Sequence, residues 1–117
     1  MPSKHEVGTS RRQEAVFAAL ADPMRSRVLQ TLATRGGATA TEVAMDLPVT
    51  RQAIVKHLGV LDRAGLVTWR KEGRDVRYEV HVDRLRDVAR WLDRIASQWE
   101  RRLARLKAIA EQTGDPS

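Results

Sequence analysis

The sequence predicts a mainly α-helical fold that carries a single β-hairpin. Apolar residues recur at spacings of three and four along most of the 117-residue chain, as they do on the buried face of a helix. Between residues 66 and 80 they alternate with polar residues instead, as in a half-buried strand. The length fits one domain.

The composition narrows the class of protein. The chain has 21 lysine and arginine residues against 15 aspartate and glutamate residues, a formal charge of +6, and it has no cysteine. Disulfides and thiolate metal sites are therefore excluded. No run of about eighteen apolar residues exists, and the first residues lack the apolar core of a signal peptide. We expect a cytoplasmic protein without a membrane partner.

The N-terminal third is expected to contain two helices. Residues 1–12 are polar and aperiodic, which predicts a flexible N-terminal arm. A short apolar helix is predicted over residues 13–21. Asp22 then suits an N-cap and Pro23 the first helical position, so a second helix begins there and ends before Gly36.

Two short helices follow, separated by a tight break. Thr39 and Glu42 have the spacing of a capping box at the start of the first helix. Pro48 breaks that helix, and Thr50 can cap the next one. Gly65 can adopt the left-handed backbone conformation that commonly ends a helix, so the second helix is expected to end there. Helices joined in this way form a helix-turn-helix, although the same pattern also fits an ordinary helical hairpin.

A β-hairpin is predicted from residue 66 to residue 80, because apolar and polar residues alternate on both sides of a short turn. Gly73 stands at the first central position of that turn and suits a type II′ loop. A helix-turn-helix followed by a basic hairpin is a winged helix. Residues 13–81 therefore predict a winged helix-turn-helix domain.

The last part of the chain predicts one long helix over residues 82–111, with a heptad seam and no proline or glycine. It would be roughly 40 Å long, more than a domain of this size covers with its own core. We therefore expect a homodimer through the terminal helices, followed by a disordered tail over residues 112–117. The predicted interface residues are Phe17, Leu85, Val88, Leu92, Ile95, Trp99, Leu103 and Leu106.

Positive charge concentrates on the second helix of the helix-turn-helix and on the hairpin. From Arg51 to Arg77 there are seven basic residues and three acidic ones. Beside a helix of this type, such a surface favours double-stranded DNA as the partner. The predicted DNA contacts are Thr50, Arg51, Gln52, Val55, Lys56, His57, Arg70, Lys71, Arg74 and Arg77.

These candidates have different chemical roles. Arg51 and Gln52 are long enough to reach base edges from the first turn of their helix, and Val55 can touch a thymine methyl group. Lys56 and the hairpin cations suit phosphate or minor-groove contact. His57 borders the buried face, so a structural hydrogen bond and a DNA contact both remain open.

Four segments carry a resemblance to a known family: LADPMRSRVLQTL, TEVAMDL, TRQAIVKHLGVLDRAGLV and KEGRDVRYEV. In this order they resemble the ArsR/SmtB-type winged-helix transcriptional regulators of bacteria, over roughly residues 13–81. The resemblance implies a homodimer that binds operator DNA through the second helix and the wing. In that family the positions of Arg51 and Val55 often hold Gln and Ser, so the family's base preference does not carry over.

The chain resembles a branch of the family without the known metal ligands. Where one metal-sensing branch has Cys-x-Cys, this chain has Thr39-Ala40-Thr41, and its last helix lacks the histidine that another branch uses. His5, His57 and His81 have no ligand spacing. Neither a metal nor another cofactor is therefore predicted.

The leading interpretation is a dimeric, sequence-specific repressor that acts on a near-palindromic operator. The alternatives are a non-specific architectural DNA binder and a protein-interaction module built on the last helix. No catalytic constellation appears, so an enzyme is not expected. The signal would be either an unidentified small-molecule effector, with Trp91 and Trp99 as candidate pocket residues, or protein concentration alone.

Overall fold

The computed structural model describes the backbone of residues 4–113 and the side chains of residues 11–112. In this part of the chain, five helices and three strands form a winged helix-turn-helix, which confirms the predicted fold class. The elements in chain order are α1 Lys4–Leu20, α2 Pro23–Arg35, β1 Ala38–Thr39, α3 Ala40–Asp46, α4 Arg51–Arg63, β2 Val67–Glu72, β3 Asp75–Val80 and α5 Val82–Thr113.

The first helix starts earlier than the sequence predicted. α1 begins at Lys4, so the prediction of a flexible arm over residues 1–12 was wrong for the part that the structure describes. Residues 11–15 are all strong helix formers, and no proline interrupts the chain between Pro2 and Pro23. Propensity therefore accounts for helix at residues 11 and 12 without an apolar period, but it does not account for residues 8–10, which are Gly8, Thr9 and Ser10. Residues 1–3 lie outside the described residues.

The predicted N-caps of α2 and α3 are present. Asp22 accepts hydrogen bonds from the backbone N–H groups of Met24 and Arg25, at 2.9 and 3.1 Å. The Arg25 bond is the main reason that the pKa of Asp22 lies below its ordinary value, because it stabilises the carboxylate. Thr39 and Glu42 form the capping box of α3, with N···O distances of 3.0 and 3.2 Å.

The end of α4 has the geometry of a Schellman cap, as predicted from Gly65. This residue has φ 77°, its N–H donates to Asp62 O, and the N–H of Leu66 donates to Leu61 O, both at 2.9 Å. His81, for which the sequence predicted no role, contacts the backbone at the same end of α4. Its Nδ1 lies 3.0 Å from the Gly65 carbonyl oxygen, and its backbone N–H donates to Leu66 O at 2.8 Å.

The wing is the predicted hairpin of β2 and β3, with Trp69 opposite Tyr78. Gly73 has φ 66° and the residue after it does not have positive φ, which agrees with a type II′ turn. β1 pairs with β3 and gives the strand order β1-β3-β2. β1 was not predicted from the sequence, because two residues are too few to show an alternating pattern.

The chain divides into two compact units, the first up to Arg84 and the second from Leu85. The core belongs to the first unit, where α2 contacts α1, α3, α4 and β3. Since the apolar faces of α3 and α4 are part of this core, the opposite face of α4 is held towards solvent. The largest fully buried side chains are Val16, Val28, Leu32, Val43, Ile54, Leu58, Leu61 and Leu66.

The second unit is the remainder of α5. The helix passes the predicted end at residue 111 because Gly114 is the first helix-breaking residue there; residues 114–117 of the predicted tail lie outside the described residues. Leu85 and Ile95 are half-buried, and Val88 is 6% exposed. The other predicted interface residues of α5 are 45–58% exposed: Leu92, Trp99, Leu103 and Leu106.

Across residues 4–113, each helix falls short of the length or apolarity that crossing a bilayer requires.

Candidate nucleic-acid interface

α4 has one buried face and one open face. Ile54, Leu58 and Leu61 are completely buried on the core side. The hydroxyl oxygen of Thr50 accepts the N–H of Ala53 at 3.1 Å and so caps the helix. Four of the predicted DNA contacts of this helix are exposed on the other face: Arg51, Gln52, Val55 and Lys56. His57 is the exception, since it is half-buried.

Arg51 is held by the neighbouring helix. Its Nε donates a hydrogen bond to Oγ1 of Thr41, in the first turn of α3, at 3.1 Å. This bond occupies one of the five N–H donors of the guanidinium and leaves those of the two terminal nitrogens. Arg51 was predicted from the sequence as a functional residue and Thr41 was not, because the two residues lie in different helices and no periodic pattern links them.

His57 has no structural hydrogen bond. It is half-buried and makes no hydrogen bond to any residue that the structure describes. Its charge contributes, as a minor cause, to the lowered pKa of Asp22. Of the two roles left open for His57, the structural hydrogen bond is therefore not formed with any described residue, and the DNA contact stays a prediction. His81 makes such a bond instead.

The four cations of the wing differ in their surroundings. Arg70 lies 3.6 Å from Glu79, and both side chains are largely exposed. Arg77 is only 28% exposed and bonds to carboxylates. Lys71 and Arg74 are exposed, and neither has an ion-pair partner among the described residues. Lys71 and Arg74 are thus the wing charges most available to a phosphate.

A cluster of ion pairs joins the wing to the helices. Arg35 donates two hydrogen bonds to Asp46, at 2.7 and 2.9 Å, and lies 3.8 Å from Glu42. Glu42 lies 3.6 Å from Arg77, which donates to Glu72 at 2.8 Å. The bond to Glu72 raises the pKa of Arg77. These contacts connect α2, α3 and the hairpin, and no local sequence pattern predicts them.

A groove of about 520 Å³ runs along the open side of α4. Arg25, Lys56 and Arg63 bring positive charge to this groove beside the apolar side chains of Val55 and Val60, and such cations can contact phosphate groups. Arg25 is fixed there by hydrogen bonds to the carbonyl oxygens of Ala18 and Ala19. Arg25 and Arg63 were absent from the predicted contacts. The lining residues are Arg25, Val55, Lys56, His57, Gly59, Val60 and Arg63.

Comparison with known proteins identifies the family. A family model described as a helix-turn-helix domain matches residues 20–69. A solved ArsR-like transcriptional regulator from Rhodococcus sp. RHA1 is 46% identical, with a TM-score of 0.81, over 88% of this chain and 96% of that one. This chain belongs to the ArsR family. The HTH-type transcriptional regulator Rv2034 of Mycobacterium tuberculosis is 34% identical over 93% of this chain and 98% of that protein.

A further relative has a more specific name. The transcriptional repressor SdpR of Bacillus subtilis is 29% identical over 77 residues, which are 66% of this chain and 84% of that protein. Together with the fold, these relatives establish a DNA-binding transcriptional regulator. The resemblance noted from the four sequence segments is thereby confirmed.

The positions that hold Cys-x-Cys in one metal-sensing branch of the ArsR family have other partners here. Thr39 caps α3, and Thr41 binds Arg51. Within the side chains that the structure describes, no three histidine, aspartate or glutamate residues come together as a metal site requires.

In α5 of this ArsR-family regulator, Trp99 contacts an arginine side chain. The guanidinium of Arg102 lies 5.5 Å from the centre of the Trp99 ring, a cation–π geometry. Gln98 and Arg105 join them in lining a shallow hollow. Trp91 is not part of that lining, so this hollow does not have the two tryptophans that the sequence suggested for an effector pocket.

Proposed function

We propose that this protein is a homodimeric, sequence-specific repressor that binds a near-palindromic operator. Two copies of α4 enter successive major grooves, about 34 Å apart, and the wings contact the flanking phosphates. The relationship to the repressor SdpR favours repression over activation. Occupation of the operator then blocks transcription, and the cytoplasm is the expected compartment.

The observation that carries this proposal is the first turn of α4. Arg51 and Gln52 are exposed there, while the opposite face of the helix is locked into the core. Arginine and glutamine are the side chains that pair bidentately with guanine and adenine. A non-specific binder needs only charge, so base-contacting groups on a fixed helix favour sequence specificity.

The exposed seam of α5 supports the dimer. Four of its large apolar side chains are about half exposed in the single chain: Leu92, Trp99, Leu103 and Leu106. A row of this kind on a soluble domain usually marks an interface. The same helix of a second copy can cover it by two-fold symmetry. Each dimer would then present two copies of α4, as a near-palindromic operator requires.

Selection of bound duplexes from a random DNA pool, with the full-length protein, tests the proposal. We expect a two-fold symmetric sequence with half-sites one helical turn apart, bound at least ~1,000-fold more tightly than a scrambled duplex at the same salt concentration. Light scattering should give the mass of a dimer. Equal affinity for both duplexes would leave only architectural binding. A monomer that shifts no DNA at low salt would favour a protein-interaction module.

A pair of glutamine variants tests the contact directly. Gln52→Ala should weaken binding to the selected duplex by about 1–3 kcal/mol and relax the preference at one base pair of each half-site. Gln30→Ala is the matched control, because Gln30 is also exposed but lies on α2. Binding that is unchanged by Gln52→Ala, or equally weakened by both substitutions, would contradict base contact by α4.

A further inference from the structure

The hydrogen bond between Thr41 and Arg51 joins the two helices of the helix-turn-helix at the edge that faces DNA in the proposed complex. It runs from Nε of the first residue of α4 to Oγ1 in the first turn of α3, over 3.1 Å. Both residues are exposed. The bond is therefore not needed to satisfy a buried polar group. What it does is orient the Arg51 side chain.

Thr41 is attached to a firmly held part of the fold. It lies between Thr39 and Glu42, which close the capping box of α3. Glu42 also lies within 4 Å of two guanidinium groups, those of Arg35 and Arg77. The backbone that carries the Thr41 hydroxyl is thus held through its neighbour Glu42, which contacts α2 and the wing.

The bond limits how Arg51 can meet a base. A guanidinium can approach the O6 and N7 acceptors of guanine with its two terminal nitrogens, or with Nε and one terminal nitrogen. Nε already donates its hydrogen bond to Thr41. Only the first orientation therefore keeps this bond together with both bonds to the guanine. An unheld arginine samples many rotamers and can also turn to a neighbouring base or phosphate.

We propose that Thr41 is a positioning residue that sets the base preference of Arg51. The Thr41 hydroxyl holds Nε, and the terminal nitrogens of Arg51 are thereby presented to the major-groove edge of one guanine in each half-site. The proposal rests on the sequence-specific DNA binding proposed above. It adds that specificity at this base pair depends on a residue of α3 that does not itself touch the base.

The test uses full-length variants and the duplex selected with the wild-type protein. Thr41→Val keeps the shape of the side chain and removes the acceptor, whereas Thr41→Ser keeps the hydroxyl. Dissociation constants are measured for the selected duplex and for every single-base-pair variant of one half-site. Arg51→Ala identifies the base pair that Arg51 contacts, and Thr34→Val controls for a threonine-to-valine change on an exposed helix surface.

We expect Thr41→Val to reduce discrimination ~5-fold at the base pair identified by Arg51→Ala, as loss of one net hydrogen bond predicts. Discrimination at the other base pairs, and the slope of affinity against salt, should stay unchanged. Thr41→Ser and Thr34→Val should behave as the wild type. In the Arg51→Ala background, Thr41→Val should have no further effect.

Several outcomes would overturn the proposal. One is unchanged discrimination in Thr41→Val; another is an equal loss at all base pairs, which would indicate a general change in α3. An effect of Thr41→Val that persists without Arg51 would also exclude positioning. If the wild-type protein selects no sequence at all, the proposed function fails together with this inference. If the wild type selects a sequence and Thr41→Val discriminates as well as the wild type at the base pair identified by Arg51→Ala, only this inference fails.

Discussion

Removal of Arg74 gives a quantitative test of how the wing binds DNA. The side chain is exposed and pairs with no carboxylate among the described residues, so its charge is available to a phosphate. Each phosphate contact contributes about 0.9 to the slope of log K against log salt concentration. In the proposed dimer the substitution removes two such contacts. Arg74→Ala should therefore lower the slope by about 1.8.

This slope corresponds to a large change in affinity. Between about 50 and 200 mM salt, a fourfold range, a difference of 1.8 in slope means that the wild type loses ~12-fold more affinity than the variant. The ratio between operator and scrambled DNA should stay the same, because phosphate contacts carry no sequence information. Fluorescence anisotropy with labelled duplexes over a salt series measures both quantities.

Two further arginine variants control the experiment. Arg101→Ala removes the same charge from the exposed surface of α5 and should leave the slope unchanged. Arg70→Ala should have a smaller effect than Arg74→Ala, because Glu79 already offsets part of the Arg70 charge. An unchanged slope in Arg74→Ala, or an equal change in Arg101→Ala, would refute phosphate contact by the wing. A decrease of the slope by about 0.9 would mean that only one Arg74 contacts a phosphate in each complex, and it would contradict a dimer that binds DNA with both wings.

Three further predictions concern stability. Leu58 is completely buried, so Leu58→Ala should lower the free energy of unfolding in urea by about 2–5 kcal/mol, and a loss below about 1 kcal/mol would contradict the packing of α4. Gly73 requires φ 66°, so Gly73→Ala should cost about 1–2 kcal/mol. Gly59→Ala, inside α4 where an added Cβ has room, should instead stabilise by about 0.5–1 kcal/mol; thermal unfolding in the opposite order would contradict both assignments. The hydrogen bond from Arg35 lowers the pKa of Asp46 from its ordinary value of 3.8, so the stability that this carboxylate contributes is present above that value and is lost as the pH falls through its lower folded value. Asp46→Asn should therefore flatten the acid side of the stability curve, and an identical acid side in both proteins would show that the pair does not form in solution.

The helix-turn-helix could be predicted from the sequence because its signals are local. Thr39 and Glu42 are three residues apart, Thr50 precedes its helix directly, and Gly65 follows the same helix. Each signal concerns backbone groups within one turn, so the surrounding fold has little opportunity to override it. The hairpin was predictable for the same reason, since Gly73 alone decides the type of turn.

The features that were missed depend on residues far apart in the sequence. β1 exists because β3 passes beside it, and Arg77 is drawn to Glu42 by the packing of the wing on α3. The Thr41–Arg51 bond likewise appears only when the two helices are assembled. The early start of α1 has a different cause, since helix formers without an apolar period resemble a disordered arm. The DNA contacts themselves remain predictions, because exposure and charge define a surface and not its partner.

The contacts of Thr39 and Thr41 restrict how the signal of this regulator could change during evolution. Cysteines at these two positions would resemble the pair found in one metal-sensing branch. Thr39→Cys would weaken the cap of α3, which is worth about 1 kcal/mol, and Thr41→Cys would take away the oxygen that holds Arg51. A lineage that acquired cysteines at these two positions would thus lose helix stability and, under the proposed role of Thr41, discrimination between DNA sequences. Both losses would come before a bound ion could compensate for them.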